Sequence, residues 1–332
     1  MTDVVALAAE LLAIQSFTRD EGAAIDFVAR WLVTRGWNVS IQEVSAGRGN
    51  VWASRAGGGV TLSTHLDTVP PFHPPRLSGN RLYGRGACDA KGIAAAMMAA
   101  AEELLAQGED RVDLLFVVGE EKGSDGARAA NNLSATSRFL VNGEPTESRL
   151  ASGCKGSLRF TLRTRGREAH SAYPELGRSA IEPLIRLLPT LHDLTFPRDE
   201  ILGATTVNIG TIEGGTEANI VPAAAHAEVM VRLVTDVAPI KHILQAWATA
   251  GGAEIEFGST IPAQHFHVVP GYEVGPVAYT SDIPLLGRWG TPLLFGPGSI
   301  HVAHTPDEYV DIDELRSSVG TYVSLVGELL HQ

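Results

Sequence analysis

Apolar positions recur at helical spacing over residues 3–15 and again over 21–35, and Gly36 closes the second run where helices commonly stop. Two amphipathic helices therefore open the chain. Residues 37–44 and 50–56 are rich in β-forming side chains and are separated by Ser45-Ala46-Gly47-Arg48-Gly49. After Gly57-Gly58-Gly59 a buried strand begins, and it empties through Ser63-Thr64-His65-Leu66-Asp67 into a turn marked by Pro70. The Ala- and Met-rich run 93–105 reads as a helix, while 112–118 and 138–141 read as apolar strands. Strands interleaved with helices predict an α/β domain around a mixed sheet.

Near residue 153 the pattern changes. Leu158, Phe160 and Leu162 alternate with Arg159, Thr161 and Arg163, the mark of a half-exposed strand. A helix over 178–194, interrupted by Pro183 and Pro189, leads to alternating strands at 205–212 and 225–231, a helix at 239–250 and a strand at 253–257. Strand, helix, two strands, helix, strand is a ferredoxin-like α+β order and predicts a second domain inserted into the first. The expected division is 1–152 with 262–332 for the discontinuous outer domain and 153–261 for the insert. The terminal helix is expected over 312–330, with Asp311 and Glu314 as its capping box.

The length of 332 residues suits two domains of ordinary size. A net charge of −12 without any Lys/Arg block argues against a nucleic-acid or anionic-membrane partner. No apolar run reaches membrane-spanning length and the amino terminus lacks a secretory pattern, so a cytoplasmic location is expected. The two cysteines, Cys88 and Cys154, form no CxxC pair, which leaves His, Asp and Glu as the side chains able to hold a metal.

Those side chains stand at telling places. His65 and Asp67, two apart on a strand, emerge on one side, as a metal ligand and its orienting carboxylate would. A Gly-punctuated loop, 82–92, delivers Asp89 ahead of a helix, and without Walker spacing it is not read as a phosphate cradle. Glu120 and Glu121 follow one apolar strand; on extended backbone they point to opposite sides and so take different roles. Glu144 follows another. His73, in the Pro-rich loop 71–80, is read as exposed. Any one of these is explicable as a cap or surface residue, but four segments each bring a hard ligand or a base to a strand end or loop, where open α/β sheets build sites.

The ordered set His65-x-Asp67, Gly84-Arg85-Gly86 to Asp89-x-Lys91-Gly92, Glu120-Glu121, Gly143-Glu144-Pro145 and His304 to Glu308 resembles the dinuclear zinc amidohydrolases and peptidases that include acetylornithine deacetylase, succinyl-diaminopimelate desuccinylase and carboxypeptidase G. The match covers nearly the whole chain. It implies a zinc-peptidase-like catalytic domain with a helix-flanked mixed sheet, and a dimerisation or lid role for the insert. It also implies two divalent metal ions, zinc first with cobalt or manganese as alternatives. Asp89 would bridge them, with His65 and Glu144 completing one site and Glu121 and His304 the other. Asp67 would orient His65, and Glu120 would serve as general base for a water activated between the ions. The segment around His170 resembles one whose histidine stabilises the oxyanion in a partner subunit, which implies a homodimer. Asn219 and Arg232 match substrate-holding positions. Relatives often carry Met where this chain has Ala90, and they place a cis peptide after the bridging Asp. Cys88 reads as a packed small residue. The expected reaction is amide hydrolysis of an N-acyl-L-amino acid, as in acetylornithine deacetylase, or of a short peptide. Desuccinylation of succinyl-diaminopimelate and release of lysine or ornithine from a carrier protein are the alternatives, and a non-catalytic metal-binding or scaffold protein is the alternative of another class.

Overall fold

The computed structural model describes residues 2–332. The chain divides into two compact units, one of Met1–Ser152, Phe266–Gly275 and Ser281–Gln332, the other of Gly153–His265 and Pro276–Thr280. The second unit thus extends past residue 261, because Gln264–His265 pairs with Cys154 and Gly153 and the Val277 carbonyl accepts the Lys155 N–H.

The first unit is built on a six-stranded sheet in the order Asn38–Ser45, Arg48–Ser54, Val112–Val117, Val60–His65, Phe139–Asn142, Thr291–Leu294. The first two junctions are antiparallel and the last three parallel. Four strands therefore end at one edge. Three of them, Val60–His65, Val112–Val117 and Phe139–Asn142, are buried along their whole length, as parallel strands covered on both faces must be.

One face is covered by the helices Val4–Leu12, Gly22–Val33, Lys91–Ala106 and Ile312–Leu330, which share a single core. Lys91–Ala106 is buried nearly all round, and its run of alanines lets neighbouring helices approach closely. Gly143 answers the same crowding, since a Cβ there would lie 2.4 Å from Ile93 and 2.6 Å from Met97. The other face carries Leu115, Val117 and Leu140 against Trp289 and the short helix Asp125–Ala130. The terminal helix is pinned by Tyr322, whose hydroxyl donates to the Phe295 carbonyl at 2.8 Å while its ring meets Phe295 edge-on at 5.0 Å. Such an aromatic pair adds about 1 kcal/mol beyond its buried area.

The second unit is a four-stranded antiparallel sheet in the order Thr206–Gly214, Ala224–Leu233, Gly156–Arg165, Glu254–Ile261. The helices Ile181–Leu187 and Val237–Ala250 share its core with Leu158, Phe160 and Leu162, the ferredoxin-like arrangement. Two local expectations need correction. The 178–194 helix is α-helical only over Ile181–Leu187 and continues as a 3-10 turn, Leu188–Asp193; Pro183 is tolerated in the first turn, whereas Pro189 cannot donate to the α-helical ladder. The Asp311 side chain makes no capping bond and instead accepts from Arg81 at 3.4 Å, while Glu314, the other half of the box, is drawn away to the Gly298 N–H at 3.0 Å and the Ser148 hydroxyl at 2.8 Å. No helix among the described residues is long and apolar enough to cross a membrane.

Candidate metal centre

Three parallel strand ends bring His65, Glu121 and Glu144 to one place, where the loop before the helix Lys91–Ala106 adds Asp89 and the loop after Thr291–Leu294 adds His304. Ligand-type atoms of His65, Asp89 and Glu144 lie within 4.8 Å of one another, and so do those of Asp89, Glu121 and His304. Asp89 belongs to both groups. His65 Nε2 is 3.0 Å from Asp89 Oδ1, while His304 Nε2 is 3.2 Å from Asp89 Oδ2 and 3.0 Å from the Glu121 carboxylate.

His65 is the last residue of its strand, and its Nδ1 lies 2.9 Å from the Asp67 main-chain carbonyl. A carbonyl can only accept, so Nδ1 carries the proton and Nε2 is the atom turned to the site. The Asp67 carboxylate is 3.5 Å from the same ring nitrogen. Its nearer partners are the N–H groups of Glu120 at 3.0 Å and Glu121 at 3.2 Å and the Thr18 hydroxyl at 2.7 Å. Asp67 thus holds the glutamate pair as well as facing the histidine.

Glu120 and Glu121 do not lie on extended backbone. Gly119 turns with φ 77° and the glutamates begin a 3-10 turn, Glu120–Lys122. Glycine fits there because a Cβ would come within 2.0 Å of the Asp125 carboxylate and φ is left-handed. The turn gives the two carboxylates different surroundings: Glu121 faces His304, whereas Glu120 belongs to neither ligand group.

The electrostatics are those of acids crowded out of water. Burial, then Glu144 and Asp282, push Glu120 well above the usual carboxylate range. Burial likewise raises Glu144, against the pull of His65 and aided by Asp89 and Asp282. Glu121 rises through burial although His304 opposes it. Burial also works against the charge on Asp89, yet His304 and His65 outweigh it and hold that carboxyl low. Hydrogen bonds to Asp89 and Glu121 lift His304 to about 10. Burial opposes charge on His65 too, but Asp67 and Asp89 raise it. Two imidazoles and three carboxylates, with two ring nitrogens turned onto carboxylate oxygens, form a donor set that a divalent cation of the zinc, cobalt or manganese kind satisfies.

Other candidates fall elsewhere. His170 and Asn219 lie in the second unit, exposed and adjacent: His170 bridges to Ile220, and the Asn219 carbonyl accepts the Ser171 N–H at 2.9 Å. Arg232 is half-buried on the strand Ala224–Leu233, its charge disfavoured by burial and by Arg159. His73 is partly buried, not exposed, and its Nε2 has no hydrogen-bond partner. Cys88 is buried and its thiol is pushed well up by burial, then by Glu308 and Asp89, so it is no ready nucleophile. The peptide between Asp89 and Ala90 is cis. Sequence reasoning missed Asp282, buried at 1% exposure and raised to about 6 mainly by burial. It lies in a loop without motif or periodicity, so no local signal marked it. In the sequence Glu308 stands only as the end of the segment that begins at His304.

A model of Peptidase family M20/M25/M40 matches residues 61–328. A peptidase M20 domain-containing protein of Schizosaccharomyces pombe is 40% identical over 98% of this chain and 84% of its own length. A protein of Aspergillus clavatus named Probable carboxypeptidase is 38% identical over 97% of this chain and 82% of its own. Among solved structures, a tripeptidase of Staphylococcus aureus superposes with a TM-score of 0.83 at 20% identity, covering 99% of this chain and 98% of that one. At that identity the likeness is one of fold.

Proposed function

Because this chain belongs to Peptidase family M20/M25/M40, we propose that it is a two-metal hydrolase that cleaves the amide bond preceding an amino acid with a free carboxylate. The observation that carries this reading is the sharing of Asp89 between two groups of three potential ligands. One ion would be held by His65, Asp89 and Glu144, the other by Asp89, Glu121 and His304. Zinc, cobalt or manganese bound there would lower the pKa of water and polarise the scissile carbonyl.

The chain's own residues do the rest. Glu120 stands outside both ligand groups but beside Glu121, and it takes the proton of the attacking water and returns it to the departing amine. Burial and like charge raise its proton affinity without metal, and two cations beside it would draw that affinity down again, leaving a carboxylate able to accept a proton and give it back. Asp67 fixes the Glu120–Glu121 turn through two main-chain bonds and keeps His65 in place. His170 accepts the Ala172 N–H on Nδ1, so its neutral ring carries a donor on Nε2. That donor suits the role the family resemblance gives it, stabilising the oxyanion in a partner subunit of a homodimer.

Arg232 would grip the substrate carboxylate with its planar fork, with Asn219 as a second polar contact. An N-acetylated amino acid such as acetylornithine and the final residue of a short peptide share that carboxylate, so deacylase and carboxypeptidase readings converge on one leaving group. The test is a hydrolysis screen with added zinc, cobalt or manganese. It covers N-acetyl, N-succinyl and N-formyl amino acids, dipeptides and carrier-linked lysine, each small substrate as free acid and as carboxamide. Free acids should exceed their amides by about 10- to 100-fold in kcat/KM, as expected of a lost charged hydrogen bond, and Arg232→Ala should abolish the difference. Equal turnover of acids and amides would contradict carboxylate recognition.

A further inference from the structure

The loop that delivers Asp89 is gripped by one side chain. Glu308 Oε1 accepts the N–H groups of Gly86 at 3.0 Å, Cys88 at 3.2 Å and Asp89 at 3.2 Å. Its Oε2 takes Arg85 Nη1 at 2.6 Å. Both partners are almost wholly buried, Glu308 at 1% and Arg85 at 2% exposure, so these bonds are not shared with water. The main chain runs in step, since the Gly84 N–H donates to the Glu308 carbonyl at 3.1 Å and Tyr309–Asp311 pairs antiparallel with Arg81–Tyr83. His304 lies four residues upstream on the same segment, in left-handed conformation with φ 64°.

We propose that Glu308 is the positioning residue that presets Asp89 and His304 for metal uptake. The inference rests on the ligand reading given above. The segment carrying Glu308 is fastened by carbonyl and carboxylate to the 84–89 loop and by its ladder to Arg81–Tyr83, the strand that leads into that loop. One end of the 304–308 segment therefore fixes the main chain of Asp89 while the other presents His304 to it, 3.2 Å from Oδ2. His65 and Glu144 are placed differently, by the strand Val60–His65 and by the residues following Phe139–Asn142. Loss of Glu308 should therefore fall chiefly on the group Asp89, Glu121 and His304.

The experiment titrates metal-depleted protein with Co²⁺, followed by visible absorption, with a circular-dichroism melt of each metal-depleted variant. Wild type should take up two ions in two resolvable steps. Glu308→Ala should weaken one step by about 10- to 100-fold, the range for residues that orient ligands, and the other by less, since that site shares Asp89 but not His304. Glu308→Gln keeps an acceptor but loses the charge that strengthens all four bonds, and should fall between. If Glu308→Ala does not fold, Glu308→Gln decides, with about a tenfold loss in one step expected. Two steps of wild-type strength in the folded variants would overturn the inference alone. A single ion in wild type would overturn the two-ion reading and this inference with it.

Discussion

Glu120→Gln is expected to retain both metal ions and to lose about 10²- to 10⁴-fold in kcat, the usual share of a positioned acid–base group. The amide keeps the size of the side chain and leaves the Glu120 main-chain bond to Asp67 untouched, but it cannot take a proton. Glu120 belongs to neither ligand group, so metal content should not change. Steady-state rates together with metal analysis check both halves. A variant that stays active, or that loses its metal, would remove Glu120 from the role of base.

Asp89→Asn should be more severe. A neutral amide cannot serve two cations as a bridging carboxylate does, and the exchange also removes the anion that faces both His65 and His304. Metal uptake should fall from two ions to fewer than one per chain at stoichiometric metal, and turnover should vanish with it. The His304 ring, now lifted to about 10 first by Asp89 and then by Glu121, should also titrate at lower pH in the metal-free variant, as NMR of the ring would record. Undiminished uptake of two ions would show that Asp89 is not the shared ligand.

Much of this arrangement was legible in the sequence, and for a definite reason. Buried parallel strands leave continuous apolar runs, so Val60–His65, Val112–Val117 and Phe139–Asn142 stood out and so did the polar residues at their ends. The period-two pattern of Gly156–Arg165 announced the second unit in the same way. Local geometry was harder to read. The pair Glu120–Glu121 was expected on extended backbone, yet Gly119 opens a turn there, and a glycine does not say which way it will bend. The division of Asp67 between His65 and the glutamate N–H groups joins residues over fifty positions apart, which no local pattern carries. The capping box at Asp311 failed for a similar reason, since Asp311 is turned to Arg81 and Glu314 to Gly298 and Ser148. Asp282 was invisible because burial, which raises it to about 6, is a property of the fold and not of its neighbours in the chain.

Anomalous diffraction at the zinc edge from crystals of zinc-loaded protein tests the central claim most directly. Two peaks should flank Asp89, one bounded by His65, Asp89 and Glu144 and the other by Asp89, Glu121 and His304. A single peak, or peaks away from Asp89, would contradict the shared-carboxylate centre.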